Sequence, residues 1–255
     1  MRIDLFFTPQ DVDEMTMRER TAVVIDVLRA SSSITTALAN GAREVIPAAT
    51  VEGAVKIAAN LSADIVLLAG ERNAKIIPGF QLGNSPLEYT EEKVRGKVIV
   101  FSSTNGARAL ATARMARELA VCSFLNIAAV RQFLAERPRD FTIICSGTNG
   151  GFSLEDAVCA GMLIDAVVTA DGGGVQLSDG ALAARTLYTS LGKKPDHVLR
   201  LSEHGRLLID LGFNDDLAYC ASVNSVPVLP LFIDNVLKLR RDAERTTTGA
   251  LGAPN

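Results

Sequence analysis

The sequence predicts an α/β protein of three layers (α/β/α), with helices on both faces of a largely parallel or mixed sheet. Two observations carry this prediction. Short β-branched apolar runs alternate with alanine-rich stretches of helical spacing along most of the chain, and strands that alternate with helices pair in parallel with both faces covered. Three of the runs also end in clusters of small polar residues that read as helix starts. They are Val23-Val-Ile-Asp-Val-Leu-Arg-Ala-Ser-Ser-Ser33, Val98-Ile-Val-Phe-Ser-Ser-Thr-Asn-Gly106 and Thr142-Ile-Ile-Cys-Ser-Gly-Thr-Asn-Gly150. Each such junction points unpaired backbone N–H groups and hydroxyls out of the carboxyl edge of a sheet, which suits phosphate, carboxylate or sulfonate.

In chain order, strands are expected at 3–7, 22–27, 44–47, 65–69, 97–101, 118–122, 141–145 and 226–232, each a short apolar run rich in Val and Ile. Helices are expected at 33–40, 51–60, 106–116, 127–136, 154–170, 178–191, 202–211, 215–221 and 234–245, where apolar residues recur at helical spacing. The second half is richer in helix. One α/β domain over 1–240 is expected, with room for a subdomain break near 125–140 at the turn Arg137-Pro-Arg-Asp140. The Thr-Asn-Gly shared by the junctions at Asn105 and Asn149 allows two similar halves. The stretch 246–255 has nothing apolar enough to pack and is expected to be a flexible tail.

Composition narrows the function classes. The 255 residues are 48% apolar and 22% charged, ample for a buried core. The net charge is -3, from 26 basic and 29 acidic residues. Without a basic run, this argues against nucleic acid or an anionic membrane surface as partner, so attraction for an anion must be local. Cys122, Cys145, Cys159 and Cys220 lie far apart, with no Cys-x-x-Cys and no His cluster near them. They read as buried free thiols in a reducing cytosol. The amino terminus is too short and acidic for a signal peptide, and no apolar stretch approaches the ~20 residues that span a bilayer. A cytoplasmic location is expected, and a homodimer stays open.

Several phosphate chemistries are absent. Gly147 to Phe152 carries no Gly-Lys-Ser/Thr, and no Gly-x-Gly-x-x-Gly follows a strand. Cys145 lacks the arginine six positions on that a Cys-x5-Arg phosphatase needs, since Gly151 stands there, and Leu28 breaks an Asp-x-Asp pattern after Asp26. His197 and His204 fall in no metal-ligand spacing.

What remains is carboxylates at strand ends. Asp26 closes an apolar strand, where a charge is costly unless it caps the helix, pairs with Arg29 or meets a cation. Glu71 stands just past another strand, beside Arg72. Glu155 and Asp156 open the longest helix, and Ser153-Leu-Glu-Asp156 also reads as a capping box. Hard oxygen donors of this kind suit Mg²⁺, which prefers one or two carboxylates plus waters and substrate phosphate.

Together with Phe80-Gln-Leu-Gly-Asn-Ser-Pro86, the stretches Asp26-Val-Leu-Arg-Ala-Ser31, Gly70-Glu-Arg-Asn73, Ser103-Thr-Asn-Gly106 and Phe152-Ser-Leu-Glu-Asp156 form an ordered set. With Leu177-Ser-Asp179, Ser202-Glu-His-Gly205 and Asp216, it resembles the 2-phosphosulfolactate phosphatase family from near residue 3 to about 235. The resemblance implies a Mg²⁺-dependent phosphomonoesterase of coenzyme M biosynthesis, with sulfolactate and phosphate as products. The matching motifs carry over Asp26, Arg29 and Ser31, then Glu71 and Arg72, then Gly83, Asn84 and Ser85, then Thr104, Asn105 and Gly106, then Glu155 and Asp156. The family pattern has a glycine near the place of Ala74.

On chemical grounds the catalytic set is Asp26, Arg29, Arg72 and Asn105, with Asp26, Glu71, Glu155 and Asp156 as candidate Mg²⁺ ligands. Arg29 and Arg72 would neutralise transition-state charge. Ser31, Asn84, Ser85, Thr104 and Gly106 would hold a small anionic substrate. The cation would polarise the phosphoryl group and acidify a water, while Asp26 is the first candidate for a phosphoenzyme nucleophile. Two alternatives remain, a phosphatase for another small 2-phospho-acid and a non-catalytic binder of anionic metabolites.

Overall fold

The computed structural model describes residues 1–137 and 139–240. The flexible tail expected at 246–255 and Pro138 of the expected subdomain turn lie outside the described residues. The strands are β1 (Arg2–Phe6), β2 (Thr21–Ile25), β3 (Glu44–Pro47), β4 (Val66–Arg72), β5 (Lys75–Ile76), β6 (Val98–Ser102), β7 (Glu118–Cys122), β8 (Phe141–Cys145), β9 (Gln176–Leu177), β10 (Pro230–Ile233) and β11 (Val236–Leu239). They form one mixed sheet in the order β5-β4-β6-β3-β11-β10-β7-β2-β8-β1-β9.

Two parallel blocks make up this sheet. β4, β6 and β3 are one, and β7, β2, β8, β1 and β9 are the other. In the central register Val23 lies opposite Ala120 on one side and Ile143 on the other. Every residue of β2, β6 and β8 is buried, as expected of strands covered on both faces. The hairpin β10–β11 joins the blocks through three antiparallel pairings in succession, so the two blocks run in opposite senses.

The helices are α1 (Ala30–Ala39), α2 (Val51–Ala59), α3 (Glu91–Val94), α4 (Gly106–Ala113), α5 (Ile127–Ala135), α6 (Leu154–Asp171), α7 (Asp179–Leu191), α8 (Pro195–Leu201), α9 (Glu203–Asp210) and α10 (Asn214–Cys220). Ile3, Val23, Ile25 and Ile143 pack with Val130, Phe133, Leu163 and Val198 of α5, α6 and α8 on one face. Ala22, Val24, Ile99, Phe101 and Val121 pack with Ile34, Leu38 and Leu110 of α1 and α4 on the other. α2 covers the far side of β4 and β6. α1 touches both β3 and β7 and so bridges the two blocks, and the carboxyl ends of β2, β4 and β6 come together at one cleft.

α6 starts at Ser153, whose Oγ accepts the Asp156 N–H at 3.3 Å. It stops at Gly172, whose φ of 72° closes the helix in the left-handed region. One expected helix is not formed. The stretch 234–240 is not a helix: Asp234 and Asn235, at φ 56° and 65°, make a tight turn and Val236–Leu239 forms β11. Val236 and Leu239 are spaced for a helix and Leu237 and Leu239 for a strand, so the short run is ambiguous, and the edges of β7 and β3 supply hydrogen-bond partners for a hairpin that a helix would not satisfy. The segment 241–245 of the expected helix lies outside the described residues. The two Thr-Asn-Gly segments also differ. Gly106 opens α4 directly, whereas Thr148 and Gly151 pair across a turn with Asn149 and Gly150 at positive φ.

Candidate functional site

Two strand-to-helix junctions, β2–α1 and β6–α4, meet the loop after β4 and His204 of α9 at one small cleft lined by Asp26, Arg29, Glu71, Asn84, Ser103, Asn105 and His204, with Leu28 and Ala74 as its apolar members. Backbone chemistry places Asp26 there. Its Oδ1 accepts the Ala30 N–H at 3.2 Å, and its own N–H donates to Ser31 Oγ at 2.9 Å. The carboxylate therefore caps the first turn of α1, with Ser31 fixing it from behind. Gly106 is required for the closure: a Cβ there would stand 2.6 Å from Ala30 Cβ and 2.7 Å from Asp26 Oδ2. Gly106→Ala is expected to cost about 1–3 kcal/mol, because neither neighbour can yield without moving a helix start. Urea unfolding of the variant beside the parent checks this.

Glu71 ends β4 and ties two loops together. Its Oε2 accepts the Ala74 N–H at 2.9 Å and its Oε1 the Thr104 N–H at 2.8 Å. Ala74 and Asn73 sit at φ 63° and 52°, a turn in which glycine would be unstrained. Arg72 does not pair with Glu71 through its carboxylate. It donates to the Glu71 carbonyl at 2.7 Å and to Ser102 Oγ at 3.0 Å, bracing β4 against β6, and it is not among the cleft-lining residues.

Asp156 joins the β2–α1 and β8–α6 junctions. Its Oδ1 accepts the Val27 N–H at 2.8 Å, and its Oδ2 accepts Ser146 Oγ–H at 3.0 Å and the Gly147 N–H at 3.2 Å. Ser153 caps α6 as the sequence suggested, while the Asp156 carboxylate reaches across to these loops. Glu155 is buried beside it, 3.8 Å from His204 Nδ1. Burial and the nearby Arg29 hold His204 down at about 4, so the imidazole is neutral at physiological pH.

The carboxylates raise one another's proton affinity. Burial, with Glu71 and Glu155 adding to it and the Ala30 N–H opposing, pushes Asp26 up to about 7. Burial also raises Glu155, and burial with Asp26 and Glu155 nearby raises Asp156 well above the usual carboxylate range. Such mutual raising is what a divalent cation bound among them would relieve. Among the described residues, no three His, Cys, Asp or Glu side chains close into a ready-made metal set. The donor chemistry nonetheless fits Mg²⁺, which takes few protein ligands and keeps waters. The oxygens of Glu71 and Asp156 already serve backbone donors. Asn84 adds a buried Oδ1 with no protein donor, at the cleft wall.

The other expected contacts are distributed as follows. Asn105 stands before α4 with its Oδ1 accepting the Asn149 N–H at 3.2 Å, linking the β6 and β8 junctions. Ser85 turns its hydroxyl to Asp216 at 2.6 Å, and Thr104 offers its N–H to Glu71. Arg29 is buried at 2% exposure and pairs with Asp216 at 2.7 Å, not with Asp26. Asp216 and His204 were not singled out as site residues from sequence. Their signal was an acid at a core position of the α10 pattern and the Ser202-Glu-His-Gly205 motif. Cys145 is fully buried, and burial raises its thiol well above the ordinary value, so it is no thiolate nucleophile. A larger cavity of about 570 Å³ lies elsewhere, lined by Arg114, Arg117, Arg137 and Arg240. It holds no cluster of buried carboxylates, and Arg137 is already paired to Glu118 at 2.7 Å, so the smaller cleft is the candidate site.

Comparison with known proteins identifies the family. A family model described as 2-phosphosulpholactate phosphatase matches residues 6–235. A protein of Caldanaerobacter subterraneus subsp. tengcongensis named probable 2-phosphosulfolactate phosphatase is 37% identical over 242 residues, 95% of this chain and 100% of its own length. Proteins of the same name from Symbiobacterium thermophilum and Clostridium novyi are 44% identical over 86% of this chain and 94% of theirs, and 40% identical over 91% and 97%.

Proposed function

We propose that this chain, which belongs to the 2-phosphosulfolactate phosphatase family, hydrolyses 2-phosphosulfolactate to sulfolactate and phosphate, with Mg²⁺ as its cation, as a cytoplasmic step of coenzyme M biosynthesis. One observation carries the reading. The residues at the starts of α1 and α4 line a cleft that holds Arg29, Asn84 and Asn105 together with the carboxylates Asp26 and Glu71, with Glu155 close enough to act on Asp26 from behind the wall. Anion-seeking groups and cation-seeking groups thus share one wall-to-wall space, as a metal-assisted phosphomonoesterase requires.

Mg²⁺, held by Asp26 and Glu155, would neutralise phosphoryl oxygens and lower the pKa of a bound water. The chain's own residues do the rest. Arg29 presents N–H groups to phosphoryl, sulfonate or carboxylate oxygens. Ser103, Asn105 and Asn84 orient the substrate. Asp156 and Glu71 keep the junctions in register through their backbone contacts. In hydrolysis the water oxygen bonds to phosphorus, the ester P–O bond breaks, and the leaving oxygen gains a proton as the hydroxyl of sulfolactate.

Phosphate release from a panel of 2-phospho-acids, with Mg²⁺ and with chelator, tests this. The expected result is Mg²⁺-dependent release, with kcat/KM for 2-phosphosulfolactate about ten- to a hundredfold above that for 2-phospholactate, since a charge-assisted contact to a guanidinium is worth roughly 1.5–3 kcal/mol. Equal rates would remove the sulfonate assignment and favour another small 2-phospho-acid. No release from any member would leave a binding protein.

A further inference from the structure

Asp216 lies 187 residues from Arg29 in sequence and is the group on which two of the substrate-facing segments converge. Its Oδ2 accepts from Arg29 Nη1 at 2.7 Å and its Oδ1 from Ser85 Oγ at 2.6 Å. Arg29 immediately precedes α1. Ser85 belongs to the loop that carries Asn84, and the Asn84 carbonyl is in turn held by Ser33 Oγ of α1 at 2.7 Å. One turn before Asp216, Phe213 lies under the guanidinium, with Arg29 Cζ 4.3 Å from the ring centroid. Arg29 Nη2 donates to the Ala74 carbonyl at 2.8 Å, which adds the loop after β4.

Two of the five N–H groups of the guanidinium are therefore committed to Asp216 and Ala74, and the plane is set by Phe213. A guanidinium held through both terminal nitrogens and one face keeps its remaining donors in fixed positions, and Arg29 lines the cleft. A charge buried at 2% exposure needs a compensating partner for stability alone. Stability would be served by any carboxylate within reach, however, and does not explain why the same carboxylate also grips Ser85. We propose that Asp216 is a positioning residue: it sets Arg29 and, through Ser85, the Asn84 loop at the spacing that receives the anionic groups of the substrate. This rests on the phosphatase reading for the identity of the substrate, but not for the claim that the cleft binds phosphate.

D216E separates positioning from charge compensation. It keeps the negative charge and the pairing with Arg29 but lengthens the arm by one methylene, displacing both donors by about 1 Å, a shift that can cost on the order of a hundredfold in rate. The probes are inorganic phosphate, titrated calorimetrically into the magnesium-loaded protein, and steady-state phosphate release from 2-phosphosulfolactate. The expected result for D216E is a melting temperature near the parent's with phosphate affinity and kcat/KM each lowered about tenfold or more. S85A should lower both by less, and D216E/S85A should be no worse than D216E alone. Parental phosphate affinity and kcat/KM in a folded D216E, or full additivity of the two substitutions, would overturn the proposal. D216N gives the second reading. If it folds, it should lose phosphate affinity at least as strongly as D216E, and a D216N of lower melting temperature with parental phosphate affinity would show a purely structural acid. If the parent binds phosphate but releases none from 2-phosphosulfolactate, the substrate reading fails and the calorimetry alone decides the role of Asp216.

Discussion

Asp26→Asn is expected to lower turnover by at least about 100-fold, because the carboxylate that would face the cation and phosphoryl group is worth several kcal/mol of transition-state charge. The same substitution should stabilise the metal-free protein at neutral and alkaline pH. The folded-state value of Asp26 is raised from 3.8 to about 7, so its contribution to stability is intact below 3.8 and is lost as pH rises through about 7. Asparagine mimics the protonated form and can still accept the Ala30 N–H. The gain over the parent should thus be near zero at about pH 4 and reach about 2–4 kcal/mol above pH 7. Thermal melts of the two proteins in chelator across that range, beside Mg²⁺-dependent rates, give the answer. Parental rate and Mg²⁺ affinity with a lower melting temperature at every pH would show that Asp26 holds the fold and not the cation.

The largest loss of stability is expected from Asp156→Ala. The substitution strands the Val27 N–H, the Gly147 N–H and the Ser146 hydroxyl, all buried or at the loop between β8 and α6. Leaving a buried donor without its acceptor costs about 1–3 kcal/mol, so the total should be about 3–6 kcal/mol, enough to unfold much of a marginal domain at growth temperature. Asp156→Asn should cost less, since its Oδ1 can still accept from Val27 while its amide opposes the Gly147 N–H. The check is the urea midpoint of each variant without metal. An alanine variant as stable as the parent would mean that these three donors find other acceptors, and Asp156 would return to the list of metal ligands.

The candidate site was legible in part. The motifs around Asp26, Glu71, Asn84, Asn105 and Asp156 were visible because each is a run of small polar residues after an apolar strand, a pattern set by neighbours in the chain. Their partners were not. Asp26 with Arg29 three residues on, and Glu71 with its neighbour Arg72, look like ion pairs, yet Arg29 goes to Asp216 and Arg72 to backbone and Ser102. Glu71 and Asp156 looked like free ligands and prove to be acceptors for loop N–H groups.

By itself the sequence determined the alternation of strands and helices, the junctions that face the carboxyl edge, the buried thiols and the family, because each depends on periodicity or on short ordered motifs. The tertiary structure alone decided that two parallel blocks run in opposite senses with α1 bridging them, and that residues 236–239 form a strand. It also decided which carboxylate compensates which charge. The physical reason is one of range. Backbone preference and amphipathic spacing act over a few residues, whereas a buried charge or an unpaired strand edge takes whatever partner the fold delivers, and here those partners come from the far end of the chain.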